Sequence, residues 1–376
     1  MDFGLSDEQK QLIESLRRFI SQQAPLDTVR EVAKTNQGYD PDIHQGLVDL
    51  GIYSILVPEE YGGAGLTFLD AAVVQETLAG GVIPSTYLGT SIIAPTLFQV
   101  AGNDAQKAEW LPKISAGECR IGVGISELCG ARAGAKLTLN AGKLQGKVLS
   151  VIDAMAADTY LVAVGRDTLA LVDAKSPGLK VTQMTGIDRT RSLGELTFND
   201  VACELMGEPA AASAALEQAL IAGRIALAAD TLGAAQEMLR RTLEYAQQRE
   251  QFNRPIASFQ SLKHLCADMA ANLEPCRSLV WYAAHTFDQR PEEAALMACH
   301  AKAHLAEVGT MVARTSTEVF GGMGFTDLMG LHYWFKRIGF NRQVLGGPEH
   351  VRDEAAILQG WVPENHAKGV AAYASY

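Results

Sequence analysis

Hydrophobic positions in the first third of the chain recur at helical spacing. Leu12, Leu16 and Ile20 fall on one helix face, and Ser6 ahead of them is a favourable N-cap. Further helical stretches follow, and the last of them stops at a glycine. The pattern predicts an N-terminal all-α domain over residues 1–118.

The pattern changes near Cys119. Segments such as TYLVAVG, TLALVDA and GELTFNDV are short, rich in β-branched residues or alternating, and separated by Gly, Asp and Asn. No helical pattern lies between them, which argues against a parallel nucleotide-binding fold. Residues 119–204 are therefore expected to form a middle antiparallel β domain.

After Pro209 the helical pattern returns and continues to the end. The run from Ala212 to Glu250 is rich in alanine and leucine and too apolar for an exposed helix. Three more helical segments follow, so residues 205–376 are expected to form a C-terminal four-helix bundle. The fold class is therefore predicted as α+β, with the β domain between two helical domains.

Composition and net charge limit the classes of function that fit this chain. The chain has 376 residues, a net charge of −11 and a pI near 5.3, which argues against a general nucleic-acid binder but allows an anionic cofactor. Its six cysteines include no C-x-x-C pair, so reduced thiols in a cytosolic protein are expected. The acidic, amphipathic start resembles neither a signal nor a transit peptide, and no apolar run approaches the roughly 20 residues of a membrane span. A cytoplasmic bacterial protein without a membrane partner is expected.

His300 and His304 form an H-x-x-x-H pair on one predicted helix face, as in some zinc sites. However, Ala301 stands where a metalloprotease would have its glutamate, and no third ligand is evident. Packing or surface histidines are favoured, and no metal is expected.

Two segments carry candidate anion-binding groups. GGMGF (residues 321–325) could cradle a phosphate with its backbone amides, or it could simply end a helix. In REQFNRPIASFQ, Arg249 and Arg254 bracket Phe252, and Gln260 lies just inside the next helix. Arginine suits a phosphate and phenylalanine an aromatic ring face, but a helix–helix corner with solvated arginines explains the segment equally well.

A turn in NRQVLGGPEH is the third candidate. Gly346, Gly347 and Pro348 favour a turn, and Glu349 and His350 follow it directly. The segment is either a turn that presents a catalytic base in an active site or a turn with no catalytic role.

The order of the domains, together with VPEEYGGAGL, QKAEWLPKISAGE, REQFNRPIASFQ and STEVFGGMGF, resembles the acyl-CoA dehydrogenases from about residue 3 to residue 360. The resemblance implies a flavin enzyme. A carboxylate removes the α proton of an acyl-CoA thioester while the β hydride passes to N5 of FAD. An electron-transferring flavoprotein usually reoxidises the flavin.

One set of residues matches the family's motifs. In this family, the matching groups typically reach across the dimer interface to the partner's FAD, and here they are Arg249, Phe252, Gln260, Gly321, Gly322 and Gly324. Asn253 replaces a usual glycine, and Glu318 replaces a glutamine and brings negative charge toward an anionic cofactor. Arg224 matches the arginine beside the acyl-binding site. Arg337 matches the arginine of a late R-D pair whose aspartate is Ile338 here.

A second set fails to match. SELCGARAGAK (residues 126–136) replaces the T-E-P-x-x-G-S-D loop that touches flavin and thioester, and SVID, which begins at Ser150, replaces the strand with the flavin-stacking tryptophan. The usual base position is Gly346, followed by Pro348 in place of a threonine. The alternative base position, beside the arginine on the long helix, is Gly223. No catalytic residue is therefore assigned.

The family motifs that this chain lacks are those with which a subunit contacts its own flavin ring and the thioester. The motifs that contact the partner's FAD across the interface are present. The pattern favours a subunit that lacks its own base and completes a partner's FAD site, as in bacterial heteromeric enzymes that act on steroid side-chain CoA esters. A dimer or tetramer with a second acyl-CoA dehydrogenase subunit is expected. The alternatives are a self-sufficient homo-oligomer with a relocated base, Glu349 or Asp230, and a non-redox CoA-ester-binding or structural protein.

Overall fold

A computed structural model describes residues 4–35, 37–130 and 134–362, and it places a β sheet between two helical regions in chain order. The N-terminal region contains six α-helices: α1 (Asp7–Gln23), α2 (Leu26–Thr35), α3 (Pro41–Asp49), α4 (Phe68–Gly80), α5 (Ala94–Ala101) and α6 (Asp104–Ser115). A π-helical segment, Tyr87–Ile93, leads into α5. Ser6 caps α1 through a reciprocal capping box with Gln9, as the sequence predicts.

The middle region is a sheet of eight strands: β1 (Ile121–Gly124), β2 (Lys136–Asn140), β3 (Lys143–Ile152), β4 (Thr159–Val164), β5 (Thr168–Asp173), β6 (Leu179–Gln183), β7 (Leu193–Ala202) and β8 (Glu204–Leu205). The strand order is β6-β7-β3-β1-β4-β5-β8, with β2 paired to β3. The expectation of a purely antiparallel sheet is wrong for one pair, since β1 and β4 run parallel. The β2–β3 hairpin provides the crossover that parallel strands need, in place of a helix.

As far as residue 362, the C-terminal region contains five α-helices: α7 (Pro209–Gln248), α8 (Gln260–Gln289), α9 (Pro291–Phe320), α10 (Leu331–Gln343) and α11 (Pro348–Leu358). Helices α7 to α10 form the predicted bundle, and α11 packs on α9. The two-residue strands β9 (Glu250–Gln251) and β10 (Arg254–Pro255) form a hairpin between α7 and α8.

Helix α7 is the centre of the molecule and contacts both helical regions. Small residues on α7 allow neighbouring helices to approach closely. At Gly233, for example, a Cβ atom would lie only 1.8 Å from the carbonyl oxygen of Glu76 on α4. Contrary to the sequence expectation, α7 is long and apolar enough to cross a membrane by length and composition alone. In the structure, 56% of the most apolar stretch of α7 is buried. The core helix of a folded protein can have the same length and apolar composition as a membrane span.

A buried ion network joins the three regions at Asp230 of α7, which is 1% exposed. Its Oδ2 accepts hydrogen bonds from Gln75 Nε2 of α4 at 2.5 Å and from Arg191 Nη2, in the β6–β7 connection, at 2.8 Å. Its Oδ1 accepts one from Asn341 Nδ2 of α10 at 2.7 Å. One carboxylate therefore contacts all three regions.

Arg337 of α10 completes the network. Its Nη1 lies 3.3 Å from Asp230 Oδ2, and its Nε donates to Asp188 Oδ2 at 2.6 Å. Burial alone would raise the pKa of Asp230, but the guanidinium groups of Arg337 and Arg191 hold it below its ordinary value. Asp230 is therefore a fixed charge with its oxygens occupied, which argues against its use as a relocated base.

We expect Asp230→Asn to lower the free energy of unfolding by about 3–5 kcal/mol, because it leaves buried arginine charge without its partner. Urea denaturation followed by circular dichroism measures the effect. Asp353→Asn, on the exposed face of α11, is the matched control and should change stability by no more than about 0.5 kcal/mol. Equal stability of the two variants would contradict a structural role for Asp230.

Candidate functional site

A cleft of about 590 Å³ lies where the end of α7, the start of α8 and the end of α9 meet. The rings of Tyr245 and Phe320 stack with centroids 4.2 Å apart beneath it. Four of the predicted cofactor-binding residues line the cleft: Arg249, Phe252, Gly321 and Gly322. The structure thus brings together groups that lie about 70 residues apart in sequence.

The tip of the β9–β10 hairpin presents an aromatic ring to solvent. Phe252 and Asn253 form its two-residue turn with φ values of 53° and 61°, and Phe252 is 87% exposed. Such turns need left-handed backbone at both positions, where asparagine is tolerated nearly as well as glycine. The replacement of glycine by Asn253 therefore preserves the turn.

Arg249 is exposed beside this turn, and its side chain makes no hydrogen bond or ion pair with another residue that the structure describes. The neighbouring Arg254 instead packs 4.0 Å from the ring of Phe259. The guanidinium of Arg249 is therefore available to an anion.

The glycines on the opposite wall leave the backbone accessible. Gly321 has a φ of +61° and ends α9, and nothing lies within 4 Å of a Cβ atom built at Gly321 or Gly322. Because the turn follows the C-terminus of α9, no helix N-terminus reinforces its amides. A ligand at these glycines would rely on close approach to the backbone itself.

Gln260 and Glu318 are exposed near the cleft but do not line it. Gln260 begins α8, and its Nε2 lies 3.0 Å from Nε2 of His264. Glu318 lies in the last turn of α9, so its negative charge remains beside the glycine wall.

Close neighbours crowd both expected base positions, and Leu345 is the neighbour at Gly223. It is 1% exposed and has a φ of 56°, which is unusual for leucine. A Cβ atom at Gly223 would lie 2.3 Å from Leu345 Cδ1. At Gly346, where φ is +102°, a Cβ atom would lie 3.0 Å from His350 Cδ2 and 3.4 Å from Arg224 Nη2. Both positions lack a carboxylate, and a side chain at either one would meet close neighbours.

Arg224 is buried and already paired. Its Nε donates to the carbonyl of Leu345 at 3.0 Å, and its Nη1 forms an ion pair with Glu354 of α11. Its positive charge is thus balanced within the chain, and its contact with Leu345 holds the turn closed.

His350 and Glu354 lie one helical turn apart on α11, with His350 Nε2 3.1 Å from Glu354 Oε1. The neighbouring side chains of Cys129 and Glu354 raise the pKa of His350 to about 9. Burial would raise the pKa of Glu354, but His350 and Arg224 lower it to about 2. Sequence reasoning noticed His350 and missed Glu354 and Cys129, although the i, i+4 spacing of His350 and Glu354 was a usable signal.

Glu349 points away from this cluster. Its side chain is 76% exposed, lies 3.3 Å from Arg342 and occupies the first turn of α11. An acid there stabilises the helix start, so its position does not support a relocated base.

The segment that replaces the flavin-contacting loop is tied to the strand that replaces the tryptophan strand. Ser126 Oγ donates to the carbonyl of Ser150 at 2.9 Å, and the backbone N–H of Leu149 donates to Glu127 Oε1 at 2.7 Å. Ser150 is 5% exposed, and its N–H lies 3.3 Å from Met184 Sδ. Residues 131–133 of the segment lie outside the described residues.

His300 and His304 lie on α9 with His304 exposed. Within the described ranges, no group of three or more His, Cys, Asp or Glu side chains could hold a metal ion. The six cysteines are all free thiols.

The chain is similar to known proteins along most of its length. The family model for the acyl-CoA dehydrogenase N-terminal domain matches residues 6–118, and that for the acyl-CoA dehydrogenase C-terminal domain matches residues 213–356. Acyl-CoA dehydrogenase IpdE2 of Mycobacterium tuberculosis is 30% identical over 354 residues, which cover 92% of this chain and 95% of IpdE2.

Two solved structures share the fold. A chain of the ChsE4–ChsE5 complex from Mycobacterium tuberculosis superposes with a TM-score of 0.87 and 25% identity, covering 96% of this chain and 100% of that chain. Butyryl-CoA dehydrogenase from Megasphaera elsdenii gives the same TM-score, identity and coverage.

We expect that Gly346→Glu restores no dehydrogenase activity and lowers the free energy of unfolding by about 1–3 kcal/mol, because a side chain there meets both an unfavourable φ and packed neighbours. Thermal unfolding and an acyl-CoA-dependent dye-reduction assay measure the two effects. Gly360→Glu is the matched control, since Gly360 also has a positive φ but nothing lies within 4 Å of its Cβ position. Activity in Gly346→Glu would show that the site is open.

The raised pKa of His350 predicts a pH-dependent contribution to stability. Protonated His350 is favoured in the folded state, so its contribution is fully present below its ordinary pKa of 6.5 and is lost as the pH rises through about 9. The difference in melting temperature between the wild type and His350→Gln should therefore shrink across this range. A constant difference would contradict the charged cluster.

Proposed function

This chain is a member of the acyl-CoA dehydrogenase family, and we propose that it is the non-catalytic subunit of a heteromeric enzyme, in which it completes the FAD site of a partner subunit. The enzyme as a whole would carry out FAD-dependent α,β-dehydrogenation of acyl-CoA thioesters. The observation that carries the proposal is the absence of a carboxylate at both expected base positions, Gly346 and Gly223, where His350, Val351 and Arg224 crowd the first and the buried Leu345 side chain crowds the second.

The cleft beside Arg249 suits the cofactor role. Arg249 would pair with the pyrophosphate of the partner's FAD, because a guanidinium without an internal partner binds phosphate with two parallel hydrogen bonds. The exposed ring of Phe252 offers an aromatic face, and the uncrowded backbone at Gly321 and Gly322 admits close approach. Glu318 opposes anion binding and would reduce the affinity without abolishing it.

When bound, FAD supplies the hydride acceptor, and the partner supplies the base. This chain's residues bind and position the cofactor from outside the partner's active site. Its own Arg224 is committed to Glu354 and Leu345, so it is unsuited to an acyl group. An electron-transferring flavoprotein would reoxidise the flavin on the partner, as the family implies.

Relatives support a two-subunit arrangement. The structural neighbour named the ChsE4–ChsE5 complex is, by its name, a pairing of two different chains. A dimer of this chain with one such partner, or a tetramer of two such pairs, would satisfy the proposal. Glu349 and Asp230 give no support to the self-sufficient alternative, because one is exposed and paired and the other is fully hydrogen-bonded.

We expect Arg249→Ala to reduce the FAD content of the co-purified complex, because the loss of a charge-assisted contact costs about 1.5–3 kcal/mol, or roughly tenfold to a hundredfold in affinity. The ratio of flavin absorbance to protein after gel filtration measures this. Arg314→Ala, another exposed arginine of the bundle, should leave the ratio unchanged. Unchanged FAD content in Arg249→Ala, in a complex that still assembles, would refute the cofactor role.

A further inference from the structure

An arginine of the N-terminal region holds the loop that follows the glycines of the cofactor cleft. Arg30 lies on α2, and its Nη2 donates to the backbone carbonyl oxygens of Asp327 at 2.5 Å and of Leu328 at 2.9 Å. Its Nε lies 3.8 Å from the Asp327 carboxylate oxygen Oδ2. One guanidinium therefore contacts both the main chain and a carboxylate of a loop that lies 297 residues away in sequence.

The same loop is attached to α10 and packed against α2. His332 Nε2, on α10, lies 2.9 Å from Asp327 Oδ1, and this hydrogen bond, together with the charge of Arg30, holds the pKa of Asp327 below its ordinary value. At Gly330, where φ is +64°, a Cβ atom would lie 2.6 Å from Leu26 Cδ2. The loop is thus held between two helices.

A short hydrogen-bonded turn joins this loop to the cleft. Gly321, Gly322 and Met323 line the cleft. The carbonyl oxygen of Met323 accepts hydrogen bonds from the N–H of Thr326 at 3.0 Å and from its Oγ1 at 2.7 Å. On the other side, the N–H of Gly321 donates to the carbonyl oxygen of Glu318 in α9. The glycine segment is therefore fixed upstream by α9 and downstream by the loop.

The two glycines depend on these ends, because they have no side chains of their own to fix them. Among the described residues, nothing lies within 4 Å of a Cβ atom built at Gly321 or Gly322. Glycine also loses more conformational freedom on ordering than any other residue. A ligand that approaches this backbone binds more tightly when the segment is already ordered before the ligand arrives.

We propose that Arg30 is a positioning residue for the cofactor cleft, which holds the loop Thr326–Gly330 and thereby keeps the backbone at Gly321 and Gly322 in place for the partner's FAD. This role rests on the proposed cofactor-binding function of the cleft. Arg30 itself lies outside the lining of the cleft, so it acts through the loop and not on the cofactor. Arginine suits the task, because its planar fork can donate to two carbonyl oxygens at once.

Hydrogen–deuterium exchange of the full chain, purified without flavin or partner, tests the contact itself. Arg30→Met keeps an apolar stem but removes every donor. The backbone amides of Thr326 and Gly330, which are hydrogen-bonded in the loop, should then exchange about tenfold faster or more, because opening the loop no longer breaks charged hydrogen bonds to Arg30. Amides in the middle of α9 should be unaffected. Wild-type exchange in the loop of Arg30→Met would overturn the proposal.

Titration of FAD into the flavin-free complex with the partner tests the consequence for the cofactor. Arg30→Met should weaken FAD binding by about twofold to thirtyfold, the range expected for a residue that acts through others. Arg30→Lys keeps one charged donor and should fall between Arg30→Met and the wild type. Arg18→Met, which changes an exposed arginine of α1, is the matched control and should bind FAD as the wild type does.

The failure of this role can be told apart from the failure of the cofactor role. Wild-type FAD affinity in an assembled Arg30→Met complex, when Arg249→Ala loses FAD, would overturn the positioning role alone. Unchanged FAD content in Arg249→Ala would refute the cofactor role of the cleft and this role with it.

Discussion

The buried carboxylate of Asp230 is the interaction on which the arrangement of the three regions depends. It accepts hydrogen bonds from side chains of α4, of the β6–β7 connection and of α10, so a displacement of any of these elements would leave a charged group unpaired in the interior. Arg224 lies six residues earlier on the same helix. The network that fixes α7 therefore also fixes the arginine that faces α11 and the turn before it.

The two potential sites of the chain, beside Arg224 and beside Arg249, differ in whether their groups already have partners within the chain. At one, Leu345 and the Arg224–Glu354 ion pair occupy the space and the charge that a substrate would need. At the other, the Arg249 side chain has no hydrogen-bonding partner among the residues that the structure describes, and nothing crowds Gly321 and Gly322 after α9. An exposed arginine beside an 87%-exposed phenylalanine is an arrangement suited to contact with another molecule. This difference is the physical basis for the proposed role at a partner's cofactor site.

Much of the fold could be predicted from the sequence, because periodicity, caps and glycine stops act locally. The N-cap at Ser6 is an example, since its conformation depends on a few neighbouring residues. The parallel pairing of β1 with β4 could not be predicted, because it depends on which strands meet in space. The motifs identified the missing base at Gly346, but only packing shows that His350, Val351 and Arg224 crowd that position. The cluster of Cys129, Arg224, His350 and Glu354 was missed because Cys129 lies 95 residues before Arg224 and 221 residues before His350 in sequence.

The visible absorption spectrum of the chain purified alone tests the central claim most directly. The account predicts no stoichiometric flavin in the isolated chain, and flavin with dehydrogenase activity once it is co-expressed with a partner acyl-CoA dehydrogenase subunit. A yellow protein that carries one FAD per chain, and that bleaches when an acyl-CoA is added without any partner, would contradict it.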